Sequence, residues 1–200
     1  MTYLISTLIF AVVGTAQLNI FEIEGIFSNA HINALEGHIE EYEYTDDDLL
    51  ILQYSSQEGS AESIAELNSL LSGYDFPIGV WFGPYKISID FKQLNNFDYI
   101  GFSPGLEINN VSFDESVEKK YCTINICNFE ERKIIVSTNE GIYDNYLIVG
   151  TLGSFIENID FVISDQSIEF FKPSLFERFY IAISNPCLLY TSPSPRDSSP

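Results

Sequence analysis

Basic residues are scarce in this chain. Nine Lys and Arg stand against 29 Asp and Glu, which gives the 200 residues a formal net charge of −20 at pH 7. Phosphate binding needs clustered Lys and Arg, so this balance argues against a nucleic-acid partner. It also argues against purely electrostatic attachment to an anionic membrane surface. The acidity mainly keeps the protein soluble.

A hydrophobic run long enough to cross a bilayer comfortably is missing from the N-terminus. The run from Leu4 to Val13 is too short, and residues 14–16 after it are small, as at a signal-peptide cleavage site. We expect residues 1–16 to be a signal peptide cleaved before Gln17. Export would place the domain in the cell envelope or on the extracellular side of the membrane. An uncleaved anchor or a first core strand is the alternative, because no Lys or Arg precedes the run.

The hydrophobic content is high enough for one core. Hydrophobic residues make up 46% of the sequence and aromatic residues 14%. A chain of this length and composition can bury one sizeable core, whereas two cores would each be small. We therefore expect a single compact domain.

Apolar strand patterns alternate with helical patterns in the first half of the chain. A helix is predicted after Gly25 because apolar residues keep helical spacing there. Strands alternating with helices are typical of right-handed βαβ units, and almost wholly apolar strands are typical of a parallel sheet covered on both faces. The predicted strands are Leu18 to Ile23, Asp48 to Gln53, Pro77 to Phe82 and Asp98 to Phe102. The apolar residues of the first helix are Ile32, Leu35, Ile39 and Tyr42.

The stretch from Leu49 to Gly73 combines a strand, a turn and a helix. LLILQY has the composition of a buried strand, SSQEG (55–59) that of a sharp turn, and a helix is expected from the N-cap Ser60 to Gly73. A strand that turns directly into a helix presents backbone N–H groups at the helix start. We therefore expect this turn to be able to hold an oxyanion or another anion.

The second half of the chain has weaker patterns. Two strands and one short helix are predicted there, at Ile134 to Ser137, Tyr146 to Gly150 and Gly153 to Ile159. Further on, Pro173 and Ser174 open a helix that is apolar almost all round, which suits a membrane approach or a buried position. We expect a main domain over 17–165 and a terminal helix approaching a membrane region over 166–186.

The last residues do not have the character of a folded segment. CLLYTSPSPRD, Cys187 to Asp197, resembles the translated read-through of a sequencing-library adapter. Residues 187–200 are therefore left out of the fold argument, and the natural sequence is expected to break off near Pro186. A disordered tail rich in Ser and Pro is the alternative.

Five segments of the chain carry a family resemblance. They are LNIFEIEGIF, DDLLILQYSSQEGSAES, DFPIGVWFGP, IGFSPG and KPSLFERFYIAISNP. In this order they resemble the ClpP-like domain of NfeD-type membrane-bound serine proteases, over roughly Gln17 to Pro186. The resemblance implies that 17–165 is a ClpP/crotonase-like α/β spiral of repeated ββα units, with a mainly parallel sheet flanked by helices.

The family resemblance also implies a chemistry. The family uses a Ser nucleophile, a Lys base and an oxyanion hole, without a cofactor or a metal. On this chain the matching positions are Ser88, Lys119 and, in the oxyanion turn, Gly59. Only Gly59 remains of the family's glycine pair there, and Glu58 beside it would repel a developing negative charge. The resemblance further implies a peptide or membrane-protein partner, with a stomatin-like protein as one candidate, and a homo-oligomer.

The nucleophile and base positions also depart from what the chemistry needs. Counting back from the SPG turn assigns the nucleophile to Ser88, whereas counting forward from the preceding Pro-led strand assigns it to Phe91. Ser88 has none of the small neighbours that a tight nucleophile turn requires, so an ordinary strand hydroxyl is the simpler interpretation. For Lys119 and Lys120 a solvated position is likewise the simpler interpretation.

Two functions from different classes follow. The favoured one is a proteolytically degenerate relative that acts by binding a peptide or membrane protein. The alternative is an active Ser/Lys endopeptidase that cleaves hydrophobic segments of membrane-associated proteins. An acyl-CoA enzyme of the crotonase type shares the fold, but it would need a cytoplasmic thioester substrate.

Other candidate ligands of metal ions are weak. His31 and His38 lie two turns apart on the first predicted helix, and without a third ligand we expect them to be partly exposed helix residues. Asp46 to Asp48 lack the alternating ligands and the glycine of a calcium loop, so a solvated turn before a strand is expected.

Cysteine usage fits an exported chain. With Cys187 set aside, Cys122 and Cys127 form an even pair that could bridge. Their odd separation would put them on opposite faces of a strand, so a bridge requires a turn at Ile124 and Asn125.

Overall fold

The computed structural model describes residues 17–59, 61–84, 86–89, 91–161 and 168–171. The predicted signal peptide (1–16), the helix expected from Pro173 and the tail 187–200 lie outside these ranges. Within them, no helix is both long enough and apolar enough to cross a bilayer.

The described chain forms eleven strands and four α-helices. The strands are β1 (Leu18–Phe27), β2 (Leu49–Gly59), β3 (Ile78–Phe82), β4 (Ile87–Ser88), β5 (Tyr99–Phe102), β6 (Glu107–Asn109), β7 (Ile126–Asn128), β8 (Lys133–Ile135), β9 (Gly141–Tyr143), β10 (Tyr146–Ile148) and β11 (Ile168–Phe171). The helices are α1 (Asn29–Tyr42), α2 (Ala61–Leu71), α3 (Glu115–Tyr121) and α4 (Leu152–Asn158), with a short 3₁₀ helix at Phe91–Asn96.

The strands build two sheets. The main sheet has the order β11-β1-β2-β3-β5-β10-β9 and is parallel except for β9, which runs antiparallel to β10. The small sheet has the order β4-β6-β8-β7. The mainly parallel sheet predicted from the alternating patterns is confirmed, and β11 pairs in parallel with β1 at one edge of it.

Helices cover the main sheet on both faces. Alternate residues of β1 show this, because Phe21 packs in the core beside α1 and α2, whereas Ile20 packs on the opposite face with Phe155 of α4. The inner strands are therefore apolar on both sides, as the sequence indicated. The helix predicted through Ile32 and Ile39 is confirmed as α1.

The sharp turn predicted at 55–59 is wrong. These residues continue β2 and pair in parallel with Glu24–Phe27 of β1, with a bulge after Gly25. The cause is a contact between strands distant in sequence. Strand β1 continues to Phe27, and its last residues pair with residues 55–59 of β2. Helix α2 begins at Ala61, directly after the predicted N-cap Ser60, which lies outside the described residues.

The prediction that His31 and His38 are partly exposed is also wrong. Both are buried, with 2% and 9% of their surface exposed. Each imidazole has a hydrogen-bond partner inside the protein. His31 Nε2 lies 3.0 Å from the Glu24 carbonyl oxygen, and His38 Nε2 lies 3.0 Å from the Tyr44 hydroxyl.

The turn before β2 is organised by Asp48. Asp46 and Asp47 are exposed in a turn, as predicted, but the Asp48 side chain is buried. It accepts hydrogen bonds from the Gln17 and Thr45 backbone N–H groups, each at 2.9 Å. Asp48 therefore ties the turn to the start of β1.

The cysteine bridge left open by the sequence is present. Cys122 and Cys127 form a disulfide with their Cα atoms 5.7 Å apart. A turn over residues 122–124 makes the bridge possible by joining the end of α3 to the start of β7.

Candidate functional site

Ser88 ends β4, an edge strand of the small sheet. The parallel pairing of β4 with β6 places Ser88 opposite Asn109. The next residue, Asn110, has a φ of 59°, in the left-handed region that Asn tolerates better than most residues. This conformation lets Asn110 Nδ2 donate a hydrogen bond to Ser88 Oγ at 2.7 Å.

The partner of Ser88 has the wrong polarity for a catalytic base. A general base must accept the hydroxyl proton, normally from about 2.6–3.2 Å. The amide nitrogen of Asn110 is only a donor, so it occupies a lone pair of Ser88 Oγ and cannot remove the proton. Sequence reasoning missed Asn110; the available signal was the pair Asn109 and Asn110, a common composition where a strand ends.

Lys119, the predicted base, lies on the last turn of α3. Val117 and Tyr121 bury the inner face of this helix, and Lys119 is exposed. No hydrogen bond joins Lys119 to Ser88, although both residues are described. Within the described residues, therefore, no hydrogen bond links the predicted nucleophile to the predicted base.

Two lysines in or beside the small sheet form ion pairs with carboxylates. Lys86 Nζ lies 2.7 Å from Glu107 Oε1, and Lys133 Nζ lies 2.9 Å from Glu131 Oε2. The hydrogen bond from Lys86 lowers the pKa of Glu107, and the hydrogen bond to Glu131 raises the pKa of Lys133. A Lys base must be neutral, so these ion pairs do not suit either lysine to that role.

Gly59, expected in an oxyanion turn, is the last residue of β2 and pairs with Phe27. Strand β3 ends at Phe82, which pairs with Tyr54. Residues 55–59 therefore have β1 on one side and no residue of β3 on the other. Strand β4, which carries Ser88, packs against β2.

His31 fixes the strand end that supports this backbone. Its Nδ1 accepts from the Ser28 N–H at 3.4 Å, so Nε2 carries the proton that is donated to the Glu24 carbonyl at 3.0 Å. Burial lowers the pKa of His31, which favours this neutral form. The imidazole thus holds the end of β1 on which residues 55–59 pair.

A small apolar cavity lies behind Ser88. Ile89, the next residue, lines it together with Leu67 of α2 and with side chains of β2 and β3. Its volume of about 10 Å³ is at the lower limit for one water molecule. The cavity is therefore too small to admit a peptide side chain unless its walls move.

The described residues do not form a cluster of side chains that could bind a metal ion. Across the described ranges, no three His, Cys, Asp or Glu side chains converge in the way a metal ion would require.

Comparison with known proteins gives a match in structure and none in sequence. No protein-family model matches the chain. No curated protein is significantly similar to it. The chain must therefore be compared through its fold.

Solved structures of one protease are similar to the chain over most of its length. A point mutant of the 1510-N membrane-bound stomatin-specific protease, in complex with a substrate peptide, is 8% identical, with a TM-score of 0.60 over 86% of this chain and 99% of that one. The 1510-N membrane protease specific for a stomatin homologue from Pyrococcus horikoshii is 9% identical, with a TM-score of 0.59 over 85% and 99%. At such low identity the likeness establishes the fold, and the chemistry rests on the geometry above. The chain has the ClpP-like α/β fold of the NfeD-like stomatin-specific membrane proteases.

Proposed function

We propose that this chain is a protease-family domain that has lost proteolysis and binds an extended peptide or membrane-protein segment. The observation that carries the proposal is the hydrogen bond from Asn110 Nδ2 to Ser88 Oγ. Asn110 is a donor in this contact, so the residue bound to Ser88 Oγ cannot take its proton as the Lys of a Ser/Lys dyad would.

The surroundings of Ser88 support the loss of catalysis. Lys119 is exposed on α3 and makes no bond to Ser88, while Lys86 is paired with Glu107. Serine attack without a base and without backbone donors for the oxyanion would lack the two largest contributions to its rate. The segment of Gly59, where those donors were expected, is extended strand.

Within the described residues, the backbone of 55–59 pairs with β1 on one side and with no strand on the other, which supports peptide binding. An extended peptide can add to such an edge through main-chain hydrogen bonds, which depend little on its sequence. The similar protease has been solved with a substrate peptide, and its specificity for a stomatin homologue makes a stomatin-like protein one candidate partner.

We also infer that the domain is exported and membrane-associated. The bridge between Cys122 and Cys127 supports export, because disulfides persist in oxidising compartments. The apolar run Leu4 to Val13 supports it as a signal sequence. The similar protease is membrane-bound, which supports a position at the membrane.

The binding half of the proposal is tested by calorimetric titration of the full chain with a synthetic Val- and Leu-rich peptide of about ten residues. We expect saturable binding. The matched control is the same peptide with alternate backbone nitrogens methylated, which removes the strand donors and keeps the side chains. We expect it to bind at least about tenfold more weakly. Equal affinity for both peptides would contradict strand addition.

The catalytic half is tested on the same samples by mass spectrometry. We expect the peptide to be recovered intact after prolonged incubation. Cleavage by the wild-type chain that is lost in Ser88→Ala would instead establish an active endopeptidase acting on hydrophobic segments.

A further inference from the structure

Asn110, Val111 and Ser112 together form an acceptor motif for N-linked glycosylation, Asn-X-Ser/Thr with X other than Pro. The motif occurs once in the sequence. It directly follows β6, and its Asn is the residue that donates to Ser88 Oγ. So short a motif also arises by chance, so its placement in the structure decides whether it can be used.

The motif lies at the surface, outside helices and strands. Asn110 and Ser112 are exposed, whereas Val111 between them is fully buried. An attached oligosaccharide is bulky and hydrophilic, so its attachment site must be exposed in the folded protein. Val111 therefore anchors the segment and presents the two side chains that glycosylation requires.

Arg132, just before β8, holds the backbone of the motif. Its Nε donates to the Val111 carbonyl oxygen at 3.2 Å, and its Nη2 donates to the Asn110 carbonyl oxygen at 3.4 Å. The Arg132 carbonyl oxygen in turn accepts from the Val111 N–H at 2.9 Å. All three bonds go to main-chain atoms of the motif, so they hold its backbone without using the Asn110 amide.

The Asn110 amide nitrogen has a hydrogen to spare. The Nδ2 of an Asn carries two hydrogens, and the bond to Ser88 Oγ uses one of them. Glycosylation replaces one hydrogen on this nitrogen and leaves the other. The contact with Ser88 can therefore persist in a glycosylated chain.

Asn125 carries a related motif and fails the same conditions. It is followed two positions later by Cys127, and a Cys thiol is a less common substitute for the hydroxyl of the motif. Asn125 is 7% exposed, and Cys127 is bridged to Cys122. Asn125 Nδ2 donates to the Tyr121 carbonyl oxygen and the Tyr146 hydroxyl, so both of its hydrogens are used inside the protein.

We propose that Asn110 carries an N-linked oligosaccharide. The proposal rests on the proposed export, because the transfer takes place in the oxidising compartment in which disulfides form. The transfer joins Asn110 Nδ2 to the anomeric carbon of a lipid-linked oligosaccharide pyrophosphate. The bond from that carbon to the pyrophosphate oxygen breaks, the lipid pyrophosphate leaves with the electron pair, and Nδ2 loses a proton. Nothing is oxidised or reduced.

The oligosaccharide begins beside Ser88. Its first ring is bonded to the nitrogen that lies 2.7 Å from Ser88 Oγ. Ser88 belongs to β4, which within the described ranges is an edge strand of the small sheet. A bulky hydrophilic group there shields the hydroxyl from large molecules and protects a strand edge from pairing with other chains. Glycosylation at this position therefore suits a serine that no longer attacks a substrate.

Secretion of the full chain from a eukaryotic cell tests the proposal. One form carries an added cleavable signal peptide, so that its export does not depend on residues 1–16. We expect intact mass to show one oligosaccharide, which peptide N-glycosidase releases while it converts Asn110 to Asp. Ser112→Ala should abolish the modification although it keeps Asn110, and Ser112→Thr should retain it. The matched control Asn109→Gln changes the adjacent Asn outside the motif and should be modified like the wild-type chain.

Two failures are distinguishable. A secreted protein without the oligosaccharide, or an oligosaccharide that persists in Ser112→Ala, would overturn the proposal and leave export and peptide binding as they stand. A second form begins at Met1 without the added signal, and we expect it to be secreted and modified as well. If it stays unmodified inside the cell while the first form is modified, the proposed export fails, and natural glycosylation of the competent acceptor Asn110 fails with it.

The placement of the oligosaccharide is tested by the accessibility of a thiol at position 88. In glycosylated Ser88→Cys, we expect a polymer-linked maleimide to react at that cysteine at least about fivefold more slowly than in Ser88→Cys with Ser112→Ala. Peptide mapping resolves this cysteine from the others. Ser72→Cys, in the exposed turn after α2, is the matched control and should react equally fast with and without the oligosaccharide. Equal rates at position 88 in both backgrounds would contradict the placement.

Discussion

Asn110 donates its side-chain amide to Ser88 Oγ at 2.7 Å, across 22 positions of sequence. The contact depends on the left-handed backbone of Asn110, whose φ is 59°. It turns the residue that best matches a protease nucleophile into part of a structural hydrogen bond.

The first prediction concerns that backbone. Asn110→Gly keeps the left-handed conformation, whereas Asn110→Ala strains it by about 1 kcal/mol and loses the same amide. We expect urea unfolding to show the Ala variant to be the less stable of the two by about that amount. Equal stabilities would mean that the φ of Asn110 is not a constraint.

The second prediction concerns close packing between the sheet and α4. A Cβ atom added at Gly101 would lie 2.5 Å from Phe155 Cδ2 and 2.9 Å from Trp81 Cδ1. Gly101→Ala should therefore lower the free energy of unfolding by about 1–3 kcal/mol. Gly79→Ala is the matched control on the same sheet face, because its added Cβ would meet ordinary contacts of 3.5 Å. Similar melting temperatures for the two variants would contradict the packing.

The third prediction concerns the disulfide. Cys122 and Cys127 are five positions apart, and closing so short a loop is worth about 2 kcal/mol of unfolding free energy. We expect urea unfolding under reducing conditions to show a loss of that size. The double variant Cys122→Ser with Cys127→Ser should match the reduced wild-type chain and be insensitive to reductant. A wild-type midpoint that does not respond to reductant would contradict the bridge.

The fourth prediction concerns pH. Burial lowers the pKa of His31 from its ordinary 6.5, so the unfolded chain binds a proton that the folded chain does not. The stabilisation is present above pH 6.5 and is lost as pH falls from there through the lowered pKa. Between about pH 7.5 and pH 5.5, the wild-type chain should lose more unfolding free energy than His31→Gln. An equal loss in both proteins would show that His31 does not contribute.

The main sheet could be predicted because its signals are local. The strands around Ile51 and Val80 are nearly all apolar, and α1 repeats its apolar residues at helical spacing. Both patterns arise because apolar residues occupy the faces of the strand or helix that are buried, so their spacing can be read directly from the sequence.

The site could be predicted only in part, because its contacts join distant residues. Residues 55–59 have turn-like composition, and only the extension of β1 to Phe27 makes them a strand. His31 is buried because a carbonyl seven positions earlier accepts its proton. Ser88 was identified as a candidate, but its partner Asn110 lies on another strand end, and strands of two or three residues leave almost no periodic signal.

The central claim, that Ser88 is no longer a nucleophile, is tested most directly by intact-mass spectrometry after treatment with a fluorophosphonate, which labels activated serines. We expect no adduct on the wild-type chain and the same result for Ser88→Ala. A stoichiometric adduct on the wild-type chain that disappears in Ser88→Ala would contradict the account and establish a functional nucleophile.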